Sequence, residues 1–185
     1  MPGRKPFEAV KNYLDPIRDC VAVLGHPTLI LAKGQKYEVG AEGYWRLGAE
    51  DGLQLRMTNG STAYFEAEQA FRIVEIEPER RTGSDRYRVT TLMYAYQLKI
   101  DGIVEWQMHW HPQGNSYETR PHYHFNRKPG AHNPCARHTI EDAIEWCVVE
   151  GAVPTTEGWP SILHASKQVH EDHRSWHDQP LESTT

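Results

Sequence analysis

Arg88–His111 reads RVTTLMYAYQLKIDGIVEWQMHWH, two runs of strand-forming residues joined by Asp101-Gly102. Successive side chains of a strand point to opposite faces, and an Asp-Gly pair supplies the positive φ angles of a two-residue hairpin turn. The stretch therefore predicts a hairpin. In its second half Val104, Trp106, Met108 and Trp110 fall on one apolar face, while Glu105, Gln107, His109 and His111 fall on the other. A sheet with one face in a core and one polar face follows from that pattern.

The same reading extends in both directions. Upstream, Leu53 to Thr58 and Thr62 to Glu66 flank Asn59-Gly60, a second hairpin signal. Phe71 to Ile76 alternate, and a polar turn from Glu77 to Asp85 leads back into Arg88 to Leu98 as a further hairpin. Leu29 to Ala32 and Tyr37 to Val39 read as short extended pieces between glycines, and Pro121 to Asn126 as one more short strand. Phe7, Val10, Leu14 and Ile17 recur at helical spacing, with Asp15-Pro16 predicting a break or a second helix start. Thr139 followed by Ile140, Ala143, Ile144, Cys147 and Val148 predicts a packed helix, capped through Asp142 and stopped at Gly151. The fold class expected is α+β: an antiparallel β-sheet meander with an N-terminal helix and a C-terminal packed helix. Residues 1–155 are expected to form a single domain and residues 156–185 a loosely ordered tail.

Composition narrows the functions open to such a domain. At 185 residues one core suffices, burying roughly 70% of the surface of the unfolded chain. Three cysteines, Cys20, Cys135 and Cys147, form no paired motif, so no disulfide framework is expected and the protein reads as cytoplasmic with reduced thiols. No apolar run approaches the roughly 20 residues of a membrane span, so no membrane partner is expected. A net charge of −5 argues against nonspecific coating of nucleic acid. The charge is uneven, however: from Thr119 to Ile140 there is no Asp or Glu, while Arg120, Arg127, Lys128 and Arg137 lie among histidines. That stretch is a candidate anion site, or else a solvated basic loop.

Eleven histidines are many for this length, and six of them fall between His109 and His138. His109-Trp110-His111 and His122-Tyr123-His124 each place two imidazoles on one strand face and an aromatic ring on the other. If the two strands pair antiparallel, all four imidazoles share the polar face. Two chemistries follow. His109, His111, His122 and His124 can serve as catalytic acid and base in cleaving RNA without a cofactor, with Arg120, Arg127 and Arg137 holding the phosphate. His138, at the start of the last helix, would help there through the helix N-terminus. Alternatively the same four histidines ligate a divalent transition metal. His132, Cys135 and His138 form a weaker metal-like constellation, and His164, His170, His173 and His177 a weaker one still in the tail. Tyr94 and Tyr96 read as sheet packing, and Glu141 and Glu145 as a solvated helix face.

Met93-Tyr94-Ala95-Tyr96, Asp101-Gly102, Trp106, Pro121-His122-Tyr123-His124 and the closing helix together resemble the small TumE-like toxins of bacterial toxin–antitoxin systems, over about Tyr37 to Val149. The resemblance implies an RNA-cleaving toxin neutralised by a protein antitoxin, with His122 and His124 matching the family's histidine segment. A second resemblance is to the cupin barrel, whose metal motif Gly102, His109, His111 and Glu118 follow in outline at longer intervals. It implies a metal-dependent enzyme acting on a small substrate. A third expectation is a binding or immunity-type protein whose histidines line a partner surface.

Overall fold

The computed structural model describes residues 2–48, 51–113, 118–126, 130–173 and 175–176. The chain runs α1 (Pro6–Val21), β1 (Leu29–Leu31), β2 (Glu42–Leu47), β3 (Leu53–Arg56), β4 (Thr62–Glu75), β5 (Tyr87–Ile100) and β6 (Ile103–Trp110). It continues through β7 (His122–Phe125), β8 (Asn133–Pro134), α2 (Ile140–Val149), α3 (Trp159–His173) and β9 (Ser175–Trp176). The strands lie in the order β1-β2-β4-β5-β6-β7-β8; β3 pairs with β4 beyond the end of β2. Pairings among β1 to β8 are antiparallel, and β9 adds a two-residue parallel contact to β5. The expected α+β class and the meander are therefore observed.

Turn chemistry sets the register. Asp101 and Gly102 take φ of 50° and 80°, and Ile100 pairs directly with Ile103 across them. Between β3 and β4 the connection is longer than the two-residue turn expected: Arg56 pairs with Thr62 across five residues, and of Asn59-Gly60 only Gly60 takes a positive φ, 77°. β4 is longer than the sequence suggested: the two pieces read separately form one strand of 14 residues, its register shifted by a bulge between Ala70 and Phe71. The extra residue is Leu92 of β5, and it lets Val89 and Thr91 share the buried face with Tyr94 and Tyr96, while β4 alternates without interruption from Ala63 to Ile73. Tyr37 to Val39 joins no strand, and Val39 is exposed.

The apolar face of the sheet carries Trp45, Phe65, Phe71, Ile73, Tyr94, Tyr96, Leu98, Trp106 and Met108, all at most 1% exposed, and the helices pack against it. α1 continues through Pro16 rather than breaking there. Its buried stripe Val10, Tyr13, Leu14, Ile17, Cys20 and Val21 lies on both sides of the proline, so packing outweighs a helix-interior cost of about 3 kcal/mol. At α2, Thr139 and Asp142 form the expected reciprocal cap, with Thr139 N–H donating to Asp142 Oδ2 at 2.7 Å and Asp142 N–H to Thr139 Oγ1 at 3.2 Å.

The C-terminal expectation is corrected over residues 159–173. These form α3, which buries Leu163, Ser166 and His170 against α1 and α2 instead of trailing as a loose tail. The cause is polar and was hidden by the weak periodicity. Glu141, read as solvated, is 2% exposed and accepts from Ser166 Oγ at 2.6 Å, with His170 Nδ1 at 2.5 Å from the same carboxylate oxygen. Burial would raise the Glu141 carboxyl, but the His170 hydrogen bond and charge and the Ser166 hydroxyl outweigh it and hold it below the ordinary range. Lys167 adds a contact to Asp142 at 2.6 Å. Among the described residues no helix is long and apolar enough to cross a membrane.

A buried pair held this way is costly to break from one side and cheap to replace as a whole. The His170→Ala variant is expected to lose about 3 kcal/mol in urea denaturation, whereas replacing both Glu141 and His170 by Leu should recover most of it. Equal losses in the single and double variants would mean that the pair does not hold α3.

Candidate metal centre

From Trp106 onward β6 sorts its side chains as alternation requires: Trp106, Met108 and Trp110 are buried under the helices, and Gln107 and His109 lie on the opposite face. Ahead of Trp106 a bulge leaves Glu105 as an extra residue and pairs Val104 with Lys99, so Val104 is not on the apolar face where the sequence pattern had it. β7 is sorted the same way: Tyr123 and Phe125 turn to Trp146 of α2, the Phe125 and Trp146 rings stacking at 5.7 Å, while His122 and His124 face the other side. In the antiparallel register His109 lies opposite His122, and Gln107 opposite His124. The expected meeting of the two His-x-His units is thus observed.

The rings are close. His109 lies 5.1 Å from His111, 5.7 Å from His122 and 5.3 Å from His124, centroid to centroid. One ring nitrogen from each of His109, His122 and His124 falls within 4.8 Å of the other two. His132 joins them from the segment before β8, at 4.8 Å from His122 and 4.6 Å from His124. The sequence spacing groups it with Cys135 and His138, but His138 packs on Trp146 on the helix side of the sheet, and neither residue is in the converging set. No local pattern marks His132 as a member of the cluster. Its place follows from the β7–β8 pairing of Tyr123 with Asn133.

Second contacts orient two of these rings. His122, 1% exposed, has Nδ1 at 2.8 Å from the Arg120 carbonyl oxygen, so Nδ1–H donates there and Nε2 is left as the lone-pair nitrogen. His124 hydrogen-bonds to the Ala131 backbone. The crowding has an electrostatic consequence. Burial, and then the neighbouring imidazoles, push His109 down to about 3, and His111 and His124 are lowered for the same reasons, burial first. These rings therefore stay neutral at physiological pH, the state in which imidazole ligates metals.

The arginines expected to hold a phosphate have other engagements. Arg120 grips Glu118 through Nε at 3.0 Å and Nη2 at 2.8 Å, holding that carboxyl down to about 2. Glu118, the fourth residue of the cupin-like outline, is not in the histidine group. Arg137 lies 4.0 Å above the Trp110 ring, on the opposite face from His109. His138 donates its backbone N–H to the Tyr94 hydroxyl at 3.0 Å and packs on Trp146. The α2 N-terminus, read as an anion site, is already occupied by the Asp142 carboxylate. Arg127 lies outside the described residues. Of the tail histidines, His170 is buried against Glu141, and His177 lies outside the described residues.

Beside the cluster a cavity of about 350 Å³ opens over the sheet, lined among others by Arg46, Glu66, Glu68, Gln97, His109 and His111. Sequence reasoning missed the first four. The alternation Glu66-Ala67-Glu68 was available as a signal, since two acids on one face of a strand whose other face is buried lie across from whatever the sheet presents there.

The lowered histidines fix the sign of a pH effect. An unfolded imidazole titrates near 6.5, so below that pH the unfolded chain binds protons that the folded cluster refuses, and stability rises with pH. For the metal-free protein the urea midpoint should therefore fall between pH 7 and pH 5. A His109→Asn, His124→Asn double variant should flatten that dependence; an equal fall in both proteins would contradict the neutral cluster.

Compared with protein-family models, with curated proteins and with solved structures, the chain matches none of them.

Proposed function

We propose that His109, His122 and His124 hold one divalent transition metal, and that the protein is a metal-dependent enzyme acting on a small substrate bound in the adjoining cavity. The observation that carries this reading is the convergence of three ring nitrogens within 4.8 Å of one another, with the His122 tautomer fixed by the Arg120 carbonyl. Tetrahedral ligation at 2.0–2.1 Å places ligand nitrogens about 3.4 Å apart, so the rings reach that geometry by shifts on the order of one ångström. Three imidazole nitrogens suit zinc, iron, nickel or copper and leave a coordination position open. His109 lines the cavity, so that position adjoins space for a ligand. Bound there, such a metal polarises an oxygen of substrate or water.

The metal-free alternative is less well supplied. A general acid must carry a proton near the working pH, and crowded, partly buried imidazoles resist protonation, His109 most of all. Arg120 and Arg137 are turned to Glu118 and Trp110.

Elemental mass spectrometry of protein purified without a histidine tag should find about one transition metal per chain. His109→Ala, His122→Ala and His124→Ala should each lower the occupancy at least ten-fold, in line with the penalty for disturbing even a supporting contact, whereas His111→Ala should retain the metal. A metal-free protein that cleaves RNA in the presence of a chelator would replace this reading with acid–base cleavage by the histidines, and with the RNA-cleaving toxin that the TumE-like resemblance implies. A metal-free protein without that activity would favour a non-catalytic binding role.

A further inference from the structure

The pairing of β2, β4, β5, β6 and β7 lays side chains across the exposed sheet face in rows. One row runs Arg46, Glu68, Ala95, His109, His122. The next runs Glu66, Gln97, Gln107, His124. Their hydrogen bonding differs. In the second row Lys99 donates to Glu66 at 2.5 Å, Gln97 donates to the same carboxylate, and Gln107 donates to Gln97 at 2.6 Å, so the polar groups largely satisfy one another. In the first row the Tyr44 hydroxyl donates to one Glu68 oxygen, Oε2. Arg72 nearby is paired with Glu42 at 2.6 Å, whereas Arg46 is exposed and has no ion-pair partner among the described residues.

Ala95 is what makes the depression. It is the one short side chain in its row, set between Glu68 and His109, which its strand separates by two inter-strand spacings, roughly 10 Å. A molecule seated over the Ala95 methyl therefore has Glu68 and Arg46 on one side and the His109 end of the metal centre on the other, all of them lining the same cavity. The second Glu68 oxygen accepts a hydrogen bond, the Arg46 guanidinium binds a carboxylate, and the metal takes an oxygen.

Resting on the metal-centre reading, we infer that this cavity binds a small hydroxylated organic acid. Its carboxylate goes to Arg46, its hydroxyl donates to Glu68, and an oxygen at its other end faces the metal held by His109, His122 and His124. A row of this length suits a skeleton of about four carbons, three inter-strand spacings between the Arg46 and His109 backbones being roughly 14 Å before the side chains reach inward.

The test uses the full chain loaded with cobalt(II), whose visible bands report ligands entering its coordination sphere. Malate carries two carboxylates and a hydroxyl; succinate lacks the hydroxyl. Malate should perturb the bands at millimolar concentration or below, with succinate at least ten-fold weaker, because a Glu68 oxygen then goes without its donor. Arg46→Ala should weaken malate at least ten-fold, and Glu68→Ala should abolish the difference between the two acids. Ala95→Leu should retain the cobalt bands and lose the malate response. Cobalt bands that malate leaves unchanged, or a malate response that survives Ala95→Leu, overturn this inference and leave the metal centre standing. Absence of cobalt bands in the unaltered protein overturns the metal centre, and the inference falls with it.

Discussion

The period of two along β6 and β7 is the constraint on which the rest depends. A strand residue has one face or the other, so Trp106, Met108 and Trp110 cannot be buried without presenting Gln107 and His109 on the far side. The same holds for Tyr123 and Phe125 against His122 and His124. Antiparallel pairing of His109 with His122 then brings the two sets on the far face together, with His122 buried among them. A one-residue slip of either strand would send imidazoles into the helices and rings into water. The aromatic contacts to Trp146, including the edge-on Trp106 ring at 5.7 Å, therefore fix the polar face as firmly as they fix the core.

That face stores an unfavourable arrangement. Imidazoles within 5 to 6 Å of one another cannot all be protonated without mutual repulsion, and their partial burial removes the water that would relieve it. The backbone carbonyl of Arg120 and the Ala131 backbone anchor two of the rings from behind. Rings that are crowded, neutral and oriented from behind resemble the ligand set of a metal site more than a surface histidine patch, where each ring would be free to turn and to charge.

Much of this was legible. Asp101-Gly102 and Asn59-Gly60 state their turns locally, Thr139 and Asp142 state the α2 cap, and His-x-His states a shared face, because each signal involves residues within a few positions of one another. What was not legible depends on distant pairing. The apparent break in β4 is no break, for the strand alternates throughout; the irregularity lies in β5, where Leu92 is an extra residue that only the pairing reveals. Pro16 sits inside a helix because tertiary packing overrides its local preference. Glu141 and His170, 29 residues apart, each look like surface residues until α2 and α3 are brought together. His132 enters the cluster, and Arg46 and Glu68 its neighbourhood, through strand register alone.

The buried polar groups beneath the sheet complete the argument. Tyr13 of α1 donates to Gln69, and Gln69 donates to the Tyr96 hydroxyl, so a buried amide in the middle of β4 is satisfied by one tyrosine from a helix and one from the next strand. Burial foremost pushes the Tyr13 hydroxyl up to about 12 and raises Tyr96 as well, which keeps both as neutral hydrogen-bonding groups. Tyr96 stacks on Tyr94 at 4.9 Å, and the Tyr94 hydroxyl accepts the His138 N–H just ahead of α2. Between those two tyrosines in the chain stands Ala95, facing the other way, beside His109. The residue that leaves room for a ligand is thus flanked by two of the most firmly held side chains in the core, and an open site on a β-sheet needs that rigid a floor if its ligands are to stay within about 0.5 Å of a working geometry.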